Sequence, residues 1–358
     1  MNQIIMCCMA AGVLLGGLDR IFGNRFGLGA KFEEGFHLLG PMALSMAGIT
    51  CIAPLLANFV QAFLSPAFTA IGIDPAICGS ILAIDMGGFP LAMELAQDPL
   101  VGYYAGVVIA ATFGCTVVFT IPVGMGYLSS EEQTHFANGL LIGLATLPLG
   151  LTVGGSLCGL SLSKTLIQSI PILLISGLLL LGLLVNTPRM IRWFTYFARA
   201  IQIVTTLGLM AAAIQSLTGW VLIPGLAPLE DSLEVVSSIG IVMLGCMPLT
   251  ELLQRLLRKP IHWIGQKTGL TASSTTGMLF GIIIAMPALA SLKDMDKRGR
   301  IVNGAFLVCG ASAFSAHLGF VLGTAPDMVA PLLASKLLGA VFSAGIALLL
   351  TKNTATKN

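Results

Sequence analysis

Apolar stretches of about twenty residues recur along the whole of this chain, separated only by short polar or basic links. Few folds can accommodate that pattern. A helix needs roughly 20 apolar residues to cross a hydrocarbon core about 30 Å thick. A backbone in lipid must also satisfy its own polar groups, which a helix does internally. Composition points the same way: 56% of the 358 residues are hydrophobic and 9% are charged, where a soluble chain carries about a quarter charged residues. The chain is therefore expected to be an all-α polytopic membrane protein. Apolar runs bounded by charge, Gly or Pro fall at 3–18, 37–64, 75–97, 100–126, 136–160, 166–186, 191–217, 233–257, 271–291, 301–323 and 328–350, giving about 9–11 transmembrane segments. No long polar linker interrupts them, so 1–358 is expected to be a single transmembrane domain. The first run lacks a basic leader and is read as a retained helix rather than a signal peptide.

Basic residues lie in short clusters between apolar runs. This is a topology signal, and with a net charge of +2 it gives no footprint for nucleic acid. The clusters are Arg20, Arg25 and Lys31; Arg189, Arg192 and Arg199; Arg255, Arg258, Lys259 and Lys267; and Lys293, Lys297, Arg298 and Arg300. The positive-inside rule asks for all four on the cytoplasmic face. If every run crosses, some clusters fall on opposite sides. If runs 75–97 and 271–291 are re-entrant, all four loops share one side.

An internal repeat supports that reading. A shift of 194 places Ala53-Pro54-Leu55 on Met247-Pro248-Leu249 and Pro66 on Pro260; a shift of 197 places Pro90 on Pro287 and Gly102 on Gly299. Two inverted structural repeats are expected, at about 1–160 and 191–350, each with a broken or re-entrant segment. The small-xxx-small pairs Gly102/Gly106, Gly150/Gly154, Gly277/Gly281 and Gly319/Gly323 predict close helix packing.

The first break is explicit in the sequence. In Ala83-Ile84-Asp85-Met86-Gly87-Gly88-Phe89-Pro90 two glycines and a proline stop a helix inside an apolar run. Broken backbone at membrane depth belongs where protein or a water-filled cavity can satisfy it, as at transporter substrate sites. Asp85, Met86, Gly87, Gly88 and Phe89 therefore form the first candidate site. The Asp85 carboxylate has two readings: it holds an ammonium group, or it caps the second arm of its own hairpin. Glu94 ends that arm and is either a solute ligand or an interfacial residue. His317 either fills a packing site or lines a pathway. Lys336, well inside the last run, either snorkels or neutralises an acid such as Asp85. Glu33 and Glu34 read as mouth residues or helix caps, and Asp294–Arg300 as a solvated loop or a clamp on a hairpin.

Enzyme signatures are missing. There is no GxxxxGK[ST], HExxH or GxSxG, and no metal-spaced Cys/His set, so neither cofactor nor metal is expected. The eight cysteines lie in apolar runs without CxxC spacing. The partners expected are a small solute and the lipid bilayer, with room for a homo-oligomer.

Several motifs, in order along nearly the whole chain, give a family resemblance. They are Phe32-Glu33-Glu34-Gly35-Phe36, Asp85–Phe89 with Glu94-Leu95-Ala96, and Gly219-Trp220 with Ile223-Pro224-Gly225-Leu226. Met295-Asp296-x-Arg298-Gly299, Ile301-x-Asn303, His317-Leu318-Gly319-Phe320 and Lys336-Leu337 complete them. The set resembles the bacterial ethanolamine-utilisation permease family, EutH. The resemblance implies passage of ethanolamine, a protonated amino alcohol, across the inner membrane through a facilitator or secondary permease. It also implies an ammonium partner among Asp85 and Glu94, and hydroxyl partners such as His317, Ser45 or Thr50. The alternatives are another small amine, or a membrane enzyme or signalling subunit acting on one. The family pattern carries an Asn pair before the proline of run 271–291 and an acid before the histidine. Here those places hold Ile284-Ala285 and Ala316.

Overall fold

The computed structural model describes residues 2–82 and 85–352, and every regular element among them is helical. The chain opens with α1 (Asn2–Ile21), α2 (Leu28–His37), α3 (Leu39–Phe63) and α4 (Ser65–Ala70). Two short helices follow, α5 (Ala76–Leu82) and α6 (Gly88–Leu95), and then the long α7 (Pro99–Gly126), wound as π-helix over Tyr104–Gly114 and Thr116–Thr120. Next come α8 (Ser130–Leu157), α9 (Leu162–Asn186) and α10 (Thr195–Thr218). The last part holds α11 (Leu229–Thr268), α12 (Ala272–Ile283), α13 (Ala285–Ser291), α14 (Lys297–Gly310), α15 (Ala316–Thr324) and α16 (Val329–Leu350). Among the described residues seven helical stretches are long and apolar enough to cross a bilayer: α2–α3 together, α7, α8, α9, α10, α11, and α16 with the turn before it. The protein is a multi-pass, all-α membrane protein. Leu174, Leu178, Leu181, Leu184 and Val185 along α9 are exposed, as lipid contact requires.

Three details depart from the sequence reading. Run 301–323 is not one helix: α14 stops at Gly310, and α15 starts at Ala316 after a turn at Ala311–Ser315. The basic stretch Arg255–Lys267, expected as a loop, continues α11, which is long enough to run beyond the apolar layer. Glu33 and Glu34 cap no helix; Glu33 pairs with Arg20 at 2.7 Å and Glu34 with Lys31 at 2.6 Å.

Two compact units are distinguished by their internal packing. The first comprises Met1–Val107, Arg199–Leu253 and Phe314–Val329; the second comprises Val108–Ala198, Gln254–Ala313 and Ala330–Asn358. Within the first, α3 and the α5/α6 pair share a core of Ile49, Ala53, Ala57, Val60, Cys78, Leu91 and Leu95. Also in this unit, a Cβ at Gly48 would sit 2.0 Å from the Thr205 carbonyl oxygen, and one at Gly208 would sit 2.5 Å from that of Gly48. Only glycine lets α3 and α10 approach backbone to backbone. Within the second, α8 and α14 meet in the same way, with Gly139 facing the Ile301 carbonyl and Gly304 the Phe136 carbonyl.

Candidate functional site

Asp74 begins the site. The pair Asp74-Pro75 starts α5, with proline supplying a helical φ and no surplus N–H. The Asp74 carboxylate is buried and accepts from the Ala76 amide at 2.9 Å. It also accepts from Gln97 at 3.1 Å and Asp98 at 2.9 Å, so it ties the root of α5 to the chain leaving α6. Halfway along, a Cβ on Gly79 would lie 2.5 Å from the Ala92 nitrogen. Residue 74 facing 97–98 and 79 facing 92 define an antiparallel helical hairpin. Arms of seven and eight residues reach about 11–12 Å, well short of a bilayer. Both arms of this hairpin belong to run 75–97, and neither is long enough to cross.

The tip, Asp85–Gly87, is a single 3₁₀ turn packed towards α3, where a Cβ on Gly87 would sit 3.0 Å from Ile49 Cγ2. Met86 and Gly88 are buried. Phe89 opens α6 and joins an aromatic group: its ring lies 5.6 Å from Phe320, edge to face, and 6.2 Å from Tyr103. Gly106 makes room for it, since a Cβ there would come within 3.0 Å of Phe89 Cα. Phe320 is three residues beyond His317 on α15, and both are buried. A spacing of three puts them on one helix face. α15 in turn lies on the first half of α11, with Gly319 against Met243 and Gly323 against Ile239.

The remaining expected site residues divide. Glu94 is exposed, near the end of α6. Thr50 donates its hydroxyl to the Met46 carbonyl at 2.9 Å within α3, which occupies its proton locally. The side chains of Asp85 and Ser45 lie outside the described residues. Lys336 does not snorkel: it is wholly buried and donates to the Ala111 carbonyl in the π-wound part of α7 at 2.5 Å. The side chain of Asp85, the acid it was expected to neutralise, lies outside the described residues.

The second unit contains a matching pair, α12 and α13. Thr271 caps α12, accepting from the Ser274 amide, and both hydroxyls donate to Asp296 Oδ1, at 3.2 and 3.1 Å. Contacts of 271 and 274 with 296, and of Gly281 with Ala288, again define an antiparallel hairpin. The stretch read as a solvated loop or clamp is thus a clamp. Arg300 adds to it by pairing with Glu132 and donating to the Leu292 and Lys293 carbonyls. At the break, Ile284 is extended (φ −136°, ψ 116°). The Ala285 amide donates to Ser312 Oγ at 3.1 Å, while the Ser312 amide donates to the Gly281 carbonyl at 2.8 Å.

Sequence reasoning found the first hairpin and its tip but missed Asp74, the interruption at Ala311–Ser315, and Ser312. Asp74-Pro75 is a helix-start signal that could have marked the first of these. The run Gly310-Ala311-Ser312-Ala313-Phe314-Ser315, small and polar within an apolar stretch, could have marked the others.

No solved structure matches the chain. Among curated proteins it is 40% identical, over 100% of its length and 96% of theirs, to the probable ethanolamine permease EutH of Listeria monocytogenes. It is 40% identical to the uncharacterized protein YxeR of Bacillus subtilis over 99% of this chain and 96% of that one. To the probable ethanolamine permease EutH of Escherichia coli it is 34% identical over 99% and 98%. Residues 1–350 match the family model described as ethanolamine utilisation protein, EutH. From end to end, then, the chain belongs to the ethanolamine utilisation protein EutH family.

Proposed function

We propose that this protein carries ethanolamine, as its ammonium form, across the cytoplasmic membrane, with the α5/α6 hairpin as the solute-binding element. The supporting observation is the broken hairpin of the first unit: its tip leads into Phe89, whose ring lies near Tyr103 and Phe320, with buried His317 one turn before Phe320 on α15. An ammonium ion leaving water needs a carboxylate, aromatic faces or both. Asp85 supplies the charge, Phe89 a ring face, and His317 a hydrogen-bond partner for the hydroxyl. Family membership over the full chain supports the substrate class, because relatives in three organisms bear the name probable ethanolamine permease.

The two hairpins further support a duplicated chain with halves near 1–160 and 191–350. α6 starts at Gly88 and α13 at Ala285, 197 residues apart, the offset that aligns Pro90 with Pro287. In this reading the halves are inverted and work by shifting one broken segment relative to its partner.

Uptake of labelled ethanolamine into proteoliposomes tests the proposal. Flux above protein-free vesicles is expected, and Asp85→Asn should lower it by at least about tenfold, one charge–ammonium contact being worth 1.5 kcal/mol or more. Flux no greater than in empty vesicles would refute the transport reading. Full activity of Asp85→Asn would refute the residue assignment alone.

A further inference from the structure

We propose that the second unit carries a specific binding site for one anionic phospholipid, in a groove between the C-terminal end of α16, the end of α11 and the start of α14. A cavity of about 650 Å³ opens there. Its polar end is formed by Lys267, Arg298 and Lys352, and among the described residues no acid lines it. Its other end is aliphatic and aromatic, with Val341, Phe342 and Leu349 of α16 all exposed.

The groove is built in two parts, and each matches part of a phospholipid. At the basic end, Arg298 is fixed in place: Nη1 donates to the Thr268 carbonyl at 2.7 Å, Nη2 to the Leu348 carbonyl and Nε to Thr351 Oγ1. Those carbonyls are the unpaired C-terminal groups of α11 and α16, so the guanidinium joins the two helix ends and keeps two further N–H groups to offer. Lys267 stacks over Trp263, with Nζ 3.9 Å from the ring centroid. A tryptophan with a lysine one turn on is the combination found at the membrane–water interface. Neither Lys267, Arg298 nor Lys352 forms a salt bridge with an acid among the described residues. Three cations without carboxylates to neutralise them select a phosphate-bearing anion.

At the apolar end, Val341, Gly345 and Leu349 are spaced by four and lie on one face of α16. A Cβ at Gly345 would meet nothing within 4 Å. The missing side chain leaves a furrow between Val341 and Leu349 that runs from the basic end into the apolar layer. An acyl chain fits this furrow, whereas a soluble phosphate would leave it empty. The basic end lies on the side assigned to the cytoplasm by the positive-inside rule, where anionic headgroups attract basic residues. Basic pockets between transmembrane helices at that face are a recurring headgroup site.

The test uses the purified full chain in mild detergent, titrated with phosphatidylglycerol or phosphatidylcholine and followed by native mass spectrometry and thermal unfolding. Wild type should retain one phosphatidylglycerol in preference to phosphatidylcholine, and only the anionic lipid should raise its unfolding midpoint. The double variant Lys267→Gln/Lys352→Gln should lose that preference by roughly thirtyfold, while Lys267→Arg/Lys352→Arg keeps it. Arg298 is left intact because it joins two helix ends. Gly345→Leu, which fills the furrow without touching charge, should reduce retention of phosphatidylglycerol. Equal retention of the two lipids by wild type, or a preference unchanged in the glutamine variant, would overturn the proposal. So would a Gly345→Leu protein that holds phosphatidylglycerol as wild type does. Glycerol phosphate stabilising the protein as well as phosphatidylglycerol would reduce the site to one for a soluble anion and overturn the lipid assignment.

Discussion

Replacing Asp74 should open the first hairpin from its root. Asp74 is 7% exposed, and its carboxylate accepts three backbone amides, those of Ala76, Gln97 and Asp98. Asp74→Ala leaves all three without that acceptor. An unsatisfied buried donor costs about 1–3 kcal/mol. Gln97 is exposed and water can reach its amide, so the smaller figure applies at that end. A total near 3 kcal/mol follows, which raises the population of the open hairpin about a hundredfold. Asp74→Asn keeps one acceptor oxygen and should raise it about tenfold.

Cys78 reports on this directly. It lies on α5, 3% exposed, in the core shared with α3. When opening is fast relative to labelling, the rate of reaction with a thiol reagent follows the open population. Peptide mapping after timed exposure separates Cys78 from the exposed Cys7 and Cys8. Cys309, fully buried in the second unit, serves as an internal control. Labelling of Cys78 should rise about a hundredfold in Asp74→Ala and about tenfold in Asp74→Asn, with Cys309 unchanged. Cys78 reacting at the wild-type rate in Asp74→Ala would refute the root clamp; a parallel rise at Cys309 would show global loosening instead.

Ser312 combines a left-handed backbone (φ 53°) with an acceptor for the Ala285 amide. Ser312→Gly loses the acceptor but relieves the left-handed backbone, whereas Ser312→Ala loses the acceptor and keeps the strain that serine's own Cβ already carries. Thermal midpoints should therefore fall in the order wild type, Ser312→Gly, Ser312→Ala, the last step costing about 1 kcal/mol. A midpoint for Ser312→Ala at or above that of Ser312→Gly would contradict the strain argument. At Phe89, Phe89→Leu keeps much of the packing volume but removes the ring face near Tyr103 and Phe320. Ethanolamine uptake should show a KM raised about threefold to tenfold, matching a cation–π contribution of roughly 0.5–1.5 kcal/mol, with little change in stability. An unchanged KM would remove Phe89 from the solute path.

What the sequence disclosed follows from which signals are local. The break in run 75–97 was legible because two glycines and a proline cluster beside it, with Gly88 and Pro90 falling in the first turn of α6. The four small-xxx-small pairs were legible as close-packing positions, and Gly319 and Gly323 do lie against Met243 and Ile239. Asp74 was not, because its role depends on amides 23 and 24 residues away. The interruption of α14–α15 escaped for a similar reason. Gly310–Ser315 has no proline and reads as continuous helix until a partner in another element, the Gly281 carbonyl, takes the Ser312 amide. The same limit explains the reading of Lys336. Its depth was visible from the length of the last apolar run, but the carbonyl it reaches comes from the π-wound part of α7, more than two hundred residues earlier.

The two hairpins solve one problem by reciprocal means, and this changes how the apolar second break should be understood. Each is pinned at its root by one aspartate, placed before the first arm in the first unit (Asp74) and after the second arm in the second (Asp296). At the tips they differ. In the first, a 3₁₀ turn at Asp85–Gly87 continues directly into α6. In the second, extended Ile284 frees an amide at Ala285, and Ser312 receives it from a separate interrupted helix. Buried backbone donors must find partners wherever they lie. With Ser312 in place, residues 284 and 285 need no polar side chains to close the backbone there. An apolar Ile284-Ala285 is therefore compatible with an intact break.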